Sequence, residues 1–214
     1  MFALSLSCSF GCNGVDAPLG VDAAVAPDAS ADAQPPADAG PLTSSVVDSF
    51  PGTRNPNGVW TYGFAAATDA VLTPFLHVEN GPGTPTWTDE SPYVGGAHGV
   101  VWKNDSGGAL FGVEPGQVSA HPGATGEFAV IRYTAPFTGS FTAHVEALAG
   151  DAGATSAEVR VRDVARHQAD TPMSHDLPAT ELTAGDTIEL WIGALGEWSG
   201  DNTPIVMTVS GSPR

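Results

Sequence analysis

The chain has 214 residues, of which 24 are acidic and seven basic, giving a formal net charge of −17 at pH 7. Lys103 is its single lysine, so the clustered cations that grip nucleic-acid phosphates or an anionic lipid surface are missing. No run of about 18 to 20 consecutive apolar residues occurs, which excludes a membrane-spanning helix.

Both cysteines, Cys8 and Cys12, fall in the first twelve residues, too far from the body of the chain to staple it. Met1 to Ser7 is apolar, but it is shorter than a complete secretory signal and lacks the basic n-region. Leu4-Ser5-Leu6-Ser7-Cys8 resembles the end of a lipoprotein signal, in which an apolar stretch and small residues precede the cysteine that is acylated. Cys12 after Gly11 is the competing anchor. Residues 1–12 are thus expected to form a truncated signal or lipobox-like head, with a cleaved secretory remnant or a free dithiol as the alternatives, membrane association only through an N-terminal lipid, and a location outside the cell or on its outer surface.

Residues 13–43 hold five aspartates (Asp16, Asp22, Asp28, Asp32, Asp38), no base and no aromatic residue. Such a stretch cannot bury enough apolar surface to offset the entropy of ordering. Pro18, Pro27, Pro35, Pro36 and Pro41 stiffen it toward polyproline II, so a spacer is predicted. Removing its five acids leaves 19 against seven bases, a net −12 for residues 44–214. That length suffices for one domain with a sizeable core.

Alternation of apolar and polar residues predicts strands throughout this body. Strands are expected near Val59 to Ala65, Pro74 to Val78, Thr84 to Thr88, Gly99 to Lys103 and Gln117 to His121. Residues 127–133 are apolar on nearly both faces, as a central covered strand would be. In Ser140 to Leu148, Phe141, Ala143, Val145 and Ala147 share one face while Thr142, His144 and Glu146 share the other. The same period of two marks Ala157 to Arg162, Thr187 to Ile192 and Ile205 to Val209. Turn clusters such as Asn55-Pro56-Asn57-Gly58 and Asp105-Ser106-Gly107-Gly108 separate the strands. Roughly nine or ten short strands with no sustained helical repeat predict an all-β fold, a two-sheet antiparallel β-sandwich of jelly-roll type.

Several motifs carry a resemblance. Asn55 to Gly63 reads NPNGVWTYG, Lys103-Asn104 precedes Ser106-Gly107, His121-Pro122-Gly123 leads through Glu127, Val130 and Arg132 to Tyr133-Thr134-Ala135-Pro136, and Leu182 to Ile188 reads LTAGDTI. In this order the series resembles a poorly characterised group of secreted bacterial β-sandwich modules. The resemblance implies topology and an extracellular setting rather than a chemistry. The motif residues have structural readings of their own. Trp60, Tyr62 and Phe64 alternate onto one face and are expected in the core, with a ligand platform as the alternative. Glu127 and Arg132 lie on opposite faces of a regular strand, so Arg132 needs another acceptor. His121 is expected to be a turn or packing residue.

Catalytic signatures are absent: there is no nucleophile elbow, no His-Glu-x-x-His and no phosphate-binding loop. A body without cysteine has no thiol nucleophile and no thiolate zinc site. The balance leans against an enzyme. A polysaccharide hydrolase using a carboxylate such as Glu127 or Glu189 stays open, because the spacing of such a pair is spatial. No cofactor is expected. The oxygen-rich turns at Asp105 and Asp201 are candidate Ca²⁺ loops, though neither has a full ligand series, and ordinary turn chemistry is the competing explanation.

The strongest binding candidates are aromatic residues on faces that should meet water. With Ile188, Leu190 and Ile192 inward, Glu189 and Trp191 point outward, and Trp198 follows in a glycine-bounded loop beside Asp201 and Asn202. A flat ring flanked by groups that hydrogen-bond hydroxyls suits a glycan. The alternative for Trp191 is cover by a loop or by the other sheet. Trp87 and Trp102 are weaker candidates of the same kind. The expected function is therefore a non-catalytic extracellular module with a carbohydrate ligand, with a structural or protein-interaction role at the cell surface as the alternative.

Overall fold

The computed structural model describes residues 41–66, 70–89, 98–150, 157–161, 165–168, 172–196 and 198–214. Cys8, Cys12 and residues 13–40 of the expected spacer lie outside them. The first strand, β1 (Leu42–Ser45), runs into a four-residue helix, α1 (Val46–Ser49). Leu42 and Thr43, which fall within the range expected for the spacer, belong to β1. The remaining strands are β2 (Trp60–Ala65), β3 (Thr73–Pro74), β4 (His77–Gly81), β5 (Thr84–Thr88), β6 (Val100–Lys103), β7 (Val118–His121), β8 (Phe128–Thr134), β9 (Gly139–Ala147), β10 (Ala157–Val161), β11 (Ala165–Gln168), β12 (Met173–Leu182), β13 (Thr187–Ala194) and β14 (Thr203–Pro213). Among the described residues no helix is long and apolar enough to cross a membrane.

These strands form two antiparallel sheets, as the alternation predicts. Sheet I has the order β12-β9-β14-β7-β6-β5-β4, and sheet II the order β11-β10-β13-β8-β2-β3. β14 is bordered by β9 along Ile205–Pro213 on one edge. Its other edge is shared, by β7 at Thr203–Ile205 and by β1 at Thr208–Gly211. One strand therefore ties the start, middle and end of the body together.

The core lies between the sheets and joins side chains from both. Val101, Val118, Phe141, Val145, Met207 and Val209 of sheet I meet Trp60, Tyr62, Ile131, Tyr133, Ile188 and Leu190 of sheet II in a single buried cluster. Each set comes from every second residue of its strand, which is how a pleated strand covers one face. The NPNG turn is held by its amides: Asn55 Nδ2 donates to the carbonyls of Tyr62 (2.5 Å) and Phe75 (2.9 Å), and its Oδ1 accepts from the Tyr62 N–H (3.0 Å). That turn delivers Trp60 and Tyr62 into the core, Trp60 edge-on to Tyr133 at 5.3 Å. The row is core packing, and partly buried Phe64 packs against the same cluster.

Several elements differ from the sequence expectation, α1 and β11 among them. The strand expected from Pro74 to Val78 is two, β3 and β4, interrupted where Phe75 turns inward and donates its N–H to the Tyr62 carbonyl (3.0 Å). β1 is too polar and short to show a period. β12 is an edge strand that buries Met173 and Leu182 but few residues between them, with a register shift between Leu177 and Thr180 around Pro178. A proline and a bulge are tolerated at an edge because one row of backbone groups faces solvent.

Candidate functional site

The outward faces of the two sheets carry the residues singled out from the sequence. On sheet II, cross-strand pairing places Arg160 opposite Trp191 and Glu189 opposite Arg132. The Arg132 guanidinium binds Glu189 Oε1 through Nε and Nη2, both at 2.6 Å, and Trp191 Nε1 donates to Glu189 Oε2 at 2.8 Å. Glu189 is thus the acceptor that Arg132 needs. Trp191 packs edge-on against Phe128 (5.7 Å) and clusters with Ala65, Leu72 and Val130, leaving it 7% exposed. Arg160 lies over the Phe128 ring at 5.4 Å and donates to Glu158. Beneath Phe128 there is no room for a Cβ at Gly193.

Trp191 and Glu189, expected as ligand-binding residues, thus sit within a packed layer. The alternation put both on the outer face correctly. What covers Trp191 is the segment at Ala70 and Leu72, far away in sequence, and both carboxylate oxygens of Glu189 are already taken.

Sheet I differs. Its outward residues on β5 (Thr84, Thr86), β6 (Val100, Trp102) and β7 (His121) floor a groove of about 400 Å³, within the size range of small-ligand sites. One wall is the loop that follows β13, contributing Trp198, Ser199, Gly200 and Asn202; the other is Phe111. Trp102 Nε1 donates to Asn202 Oδ1 (2.9 Å), which fastens the loop to the sheet. Trp198 stands edge-on to His121 at 5.6 Å, and Phe111 edge-on to Trp102 at 6.2 Å. His121 Nδ1 lies 2.8 Å from the Pro122 carbonyl.

A local motif builds the Phe111 wall. Asn104 is fully buried, and its Nδ2 donates to the carbonyls of Gly108 (2.9 Å) and Val113 (2.7 Å). Its Oδ1 accepts from the Ser106 N–H (3.0 Å) and hydroxyl (2.6 Å). One amide thus fixes both ends of the 104–113 loop. Leu110 and Val113 then exchange backbone hydrogen bonds of 3.0 and 2.8 Å around Phe111-Gly112. The Lys103-Asn104, Ser106-Gly107 motif acts here as the loop's scaffold.

Of the sequence candidates, Trp198 and Asn202 come together in the groove, and Trp102 joins them as its floor. Asp201 is 1% exposed and lies within the loop's support, its carbonyl accepting from the Thr203 hydroxyl (3.2 Å). Trp87 is buried in the core and donates Nε1 to the Pro51 carbonyl (2.6 Å). The sequence did not single out for binding the rings Phe111 and His121, nor the hydroxyl residues Thr84, Thr86 and Ser199. The available signal was Phe111 in a glycine-rich turn, where an aromatic residue has no turn-forming reason to be.

The remaining chemical candidates are engaged elsewhere. Glu127 Oε1 accepts from the Thr125 hydroxyl (2.5 Å) and lies 3.2 Å from His98 Nδ1, while His98 Nε2 faces Asp89 at 3.4 Å. Burial pushes the Glu127 carboxyl up, but hydrogen bonds from Thr125, its own backbone and His98 outweigh this and hold it below the ordinary range. A carboxylate held ionised is the opposite of a general acid. Asp105 pairs with Lys103 at 3.3 Å. Among the described residues no group of three or more His, Cys, Asp or Glu is placed to hold a metal ion.

No protein-family model and no curated protein matches the chain. Among solved structures it is similar to a Podospora anserina GH26-CBM35 β-(1,4)-mannanase, at 17% identity and a TM-score of 0.27 over 72% of this chain. The match spans 28% of that enzyme's length, and a likeness this slight carries no argument about the groove.

Proposed function

We propose that this protein is a non-catalytic extracellular binding module whose groove on sheet I takes a carbohydrate. The observation that carries the reading is the composition of the groove. Trp198 and Phe111 offer apolar ring surface on its walls, Trp102 closes its floor, and Thr84, Thr86, Ser199 and Asn202 supply hydroxyls and an amide. Sugar rings have an apolar C–H face and a polar rim, so rings beside short polar groups match both parts. Among the described residues no lining side chain is a carboxylate, which speaks against glycoside hydrolysis by them. A glycan array followed by titration calorimetry tests the reading. Retention of the wild type and its loss in Trp198→Ala is the expected result, and no retention of the wild type by any glycan sinks it.

The same proposal places the domain on the cell envelope, on a spacer from a lipid at Cys8 or Cys12, within the group of secreted modules its motifs resemble. Mass spectrometry of the membrane fraction checks the anchor, and an unmodified N-terminal peptide there would remove it. We also read β7 to β14 as a jelly roll. These strands form β7-β14-β9-β12 in one sheet and β8-β13-β10-β11 in the other, the order produced by two interlocked Greek keys.

A further inference from the structure

Among the described residues, Phe111 is the one residue other than glycine with a positive φ, 49°, and Gly112 follows at 71°. Positive φ at both central positions of a two-residue loop is the type I′ pattern, which Asn-Gly and Gly-Gly adopt readily. A phenylalanine is strained there, because its Cβ crowds the following carbonyl oxygen. Packing accounts for little of its presence. The residue is 67% exposed, its one ring contact among the described residues is the edge-on approach to Trp102 at 6.2 Å, and Leu110 and Val113, which close the turn, already pack in the Trp102 cluster without it. A bulky apolar residue held strained and exposed at the rim of a groove has the signature of a residue kept for what it touches.

We infer that Phe111 is a ligand-stacking residue of the groove, presented by the Leu110–Val113 turn as a second aromatic surface beside Trp198 for an uncharged sugar. The inference rests on the carbohydrate reading of the groove and adds the strained turn that presents Phe111 and the charge class of the ligand. The charge class follows from the described lining residues, which include no Lys or Arg, in a chain of net charge −17. An acidic sugar would meet overall repulsion and find no cation among those residues.

Three variants test it on an array of neutral and uronic-acid glycans, with titration of the strongest neutral hit and melting curves for each protein. Phe111→Tyr keeps the ring and should bind as the wild type does. Phe111→Ala and Phe111→Asn remove it and should weaken binding roughly tenfold. Asparagine tolerates the left-handed region and alanine does not, so Phe111→Asn should melt about 2–4 °C above Phe111→Ala, and no lower than the wild type. Retention of the wild type by no glycan would overturn the carbohydrate reading and this inference together. Undiminished binding by both ring-less variants would overturn the role of Phe111 while leaving the groove reading intact. Melting of Phe111→Asn well below the wild type would make the ring a structural element, and preference for uronic acids would overturn the assigned charge class.

Discussion

On sheet II the outward-facing Trp191 lies against Leu72 and Phe128, whereas on sheet I the outward-facing Trp102 floors a groove walled by Phe111 and Trp198. The two indoles are about equally buried, 7% and 5% exposed. Burial of the ring itself therefore does not separate a tryptophan inside a packed layer from one on the floor of a groove. What separates them is the neighbourhood: apolar side chains and an occupied carboxylate over Trp191, rings and hydroxyls bordering open space above Trp102. The first arrangement uses its contacts within the fold, while the second leaves apolar and polar groups facing open space.

Substitutions can break or sharpen this contrast. Trp191→Ala should have the largest effect on stability, a loss of about 3–5 kcal/mol by denaturant unfolding, with the folded fraction still binding normally. A loss under 1 kcal/mol would mean the layer over Trp191 is not packed as described. Next, Glu189→Ala strips the acceptor from both Arg132 and the Trp191 N–H, and should lower stability by about 1–3 kcal/mol. An unchanged melting curve would show that the network contributes nothing. Trp198→Ala inverts the pattern, with less than about 1 kcal/mol of stability at stake but most of the glycan affinity. Severe destabilisation instead would place Trp198 with Trp191 and erase the contrast.

The smallest effect belongs to a third outward patch, at the β9 and β12 end of sheet I. There His144 Nδ1 meets Asp176 at 2.7 Å and Nε2 meets Glu146 at 3.3 Å. The hydrogen bonds it donates to Asp176 and then to Glu146 raise its pKa above the ordinary 6.5. A raised folded-state pKa adds stability that is fully present below the unfolded value and is lost as pH rises through the folded one. His144→Gln should therefore melt slightly below the wild type at pH 5 and together with it at pH 9. A gap that widens toward alkaline pH would contradict the ion pairs.

Much of the fold was legible because a strand writes its own period. Phe141, Ala143, Val145 and Ala147 alternate with Thr142, His144 and Glu146, and their burial follows that alternation residue by residue. The alternation also put Trp191 on the outer face. It could not reveal the cover at Leu72, because that contact depends on how distant segments meet. The groove was half legible for the same reason. Trp198 and Asn202 announced themselves as ring and amide in one loop, but Trp102 joins them only because β6, β7 and β14 are neighbours in sheet I. β12 escaped notice because an edge strand with Pro178 and few buried residues has little period to show.

The shared edge of β14 also fixes how a pull would travel through the domain. Leu42 of β1 pairs with Gly211, near one end of β14, while Asn202 borders the groove just before the other end. At the usual rise per residue these points lie roughly 30 Å apart. Tension between Leu42 and a ligand held in the groove therefore runs along the strand axes, drawing β1 and β14 in opposite directions. Their hydrogen bonds are loaded together in shear rather than peeled open singly from one end.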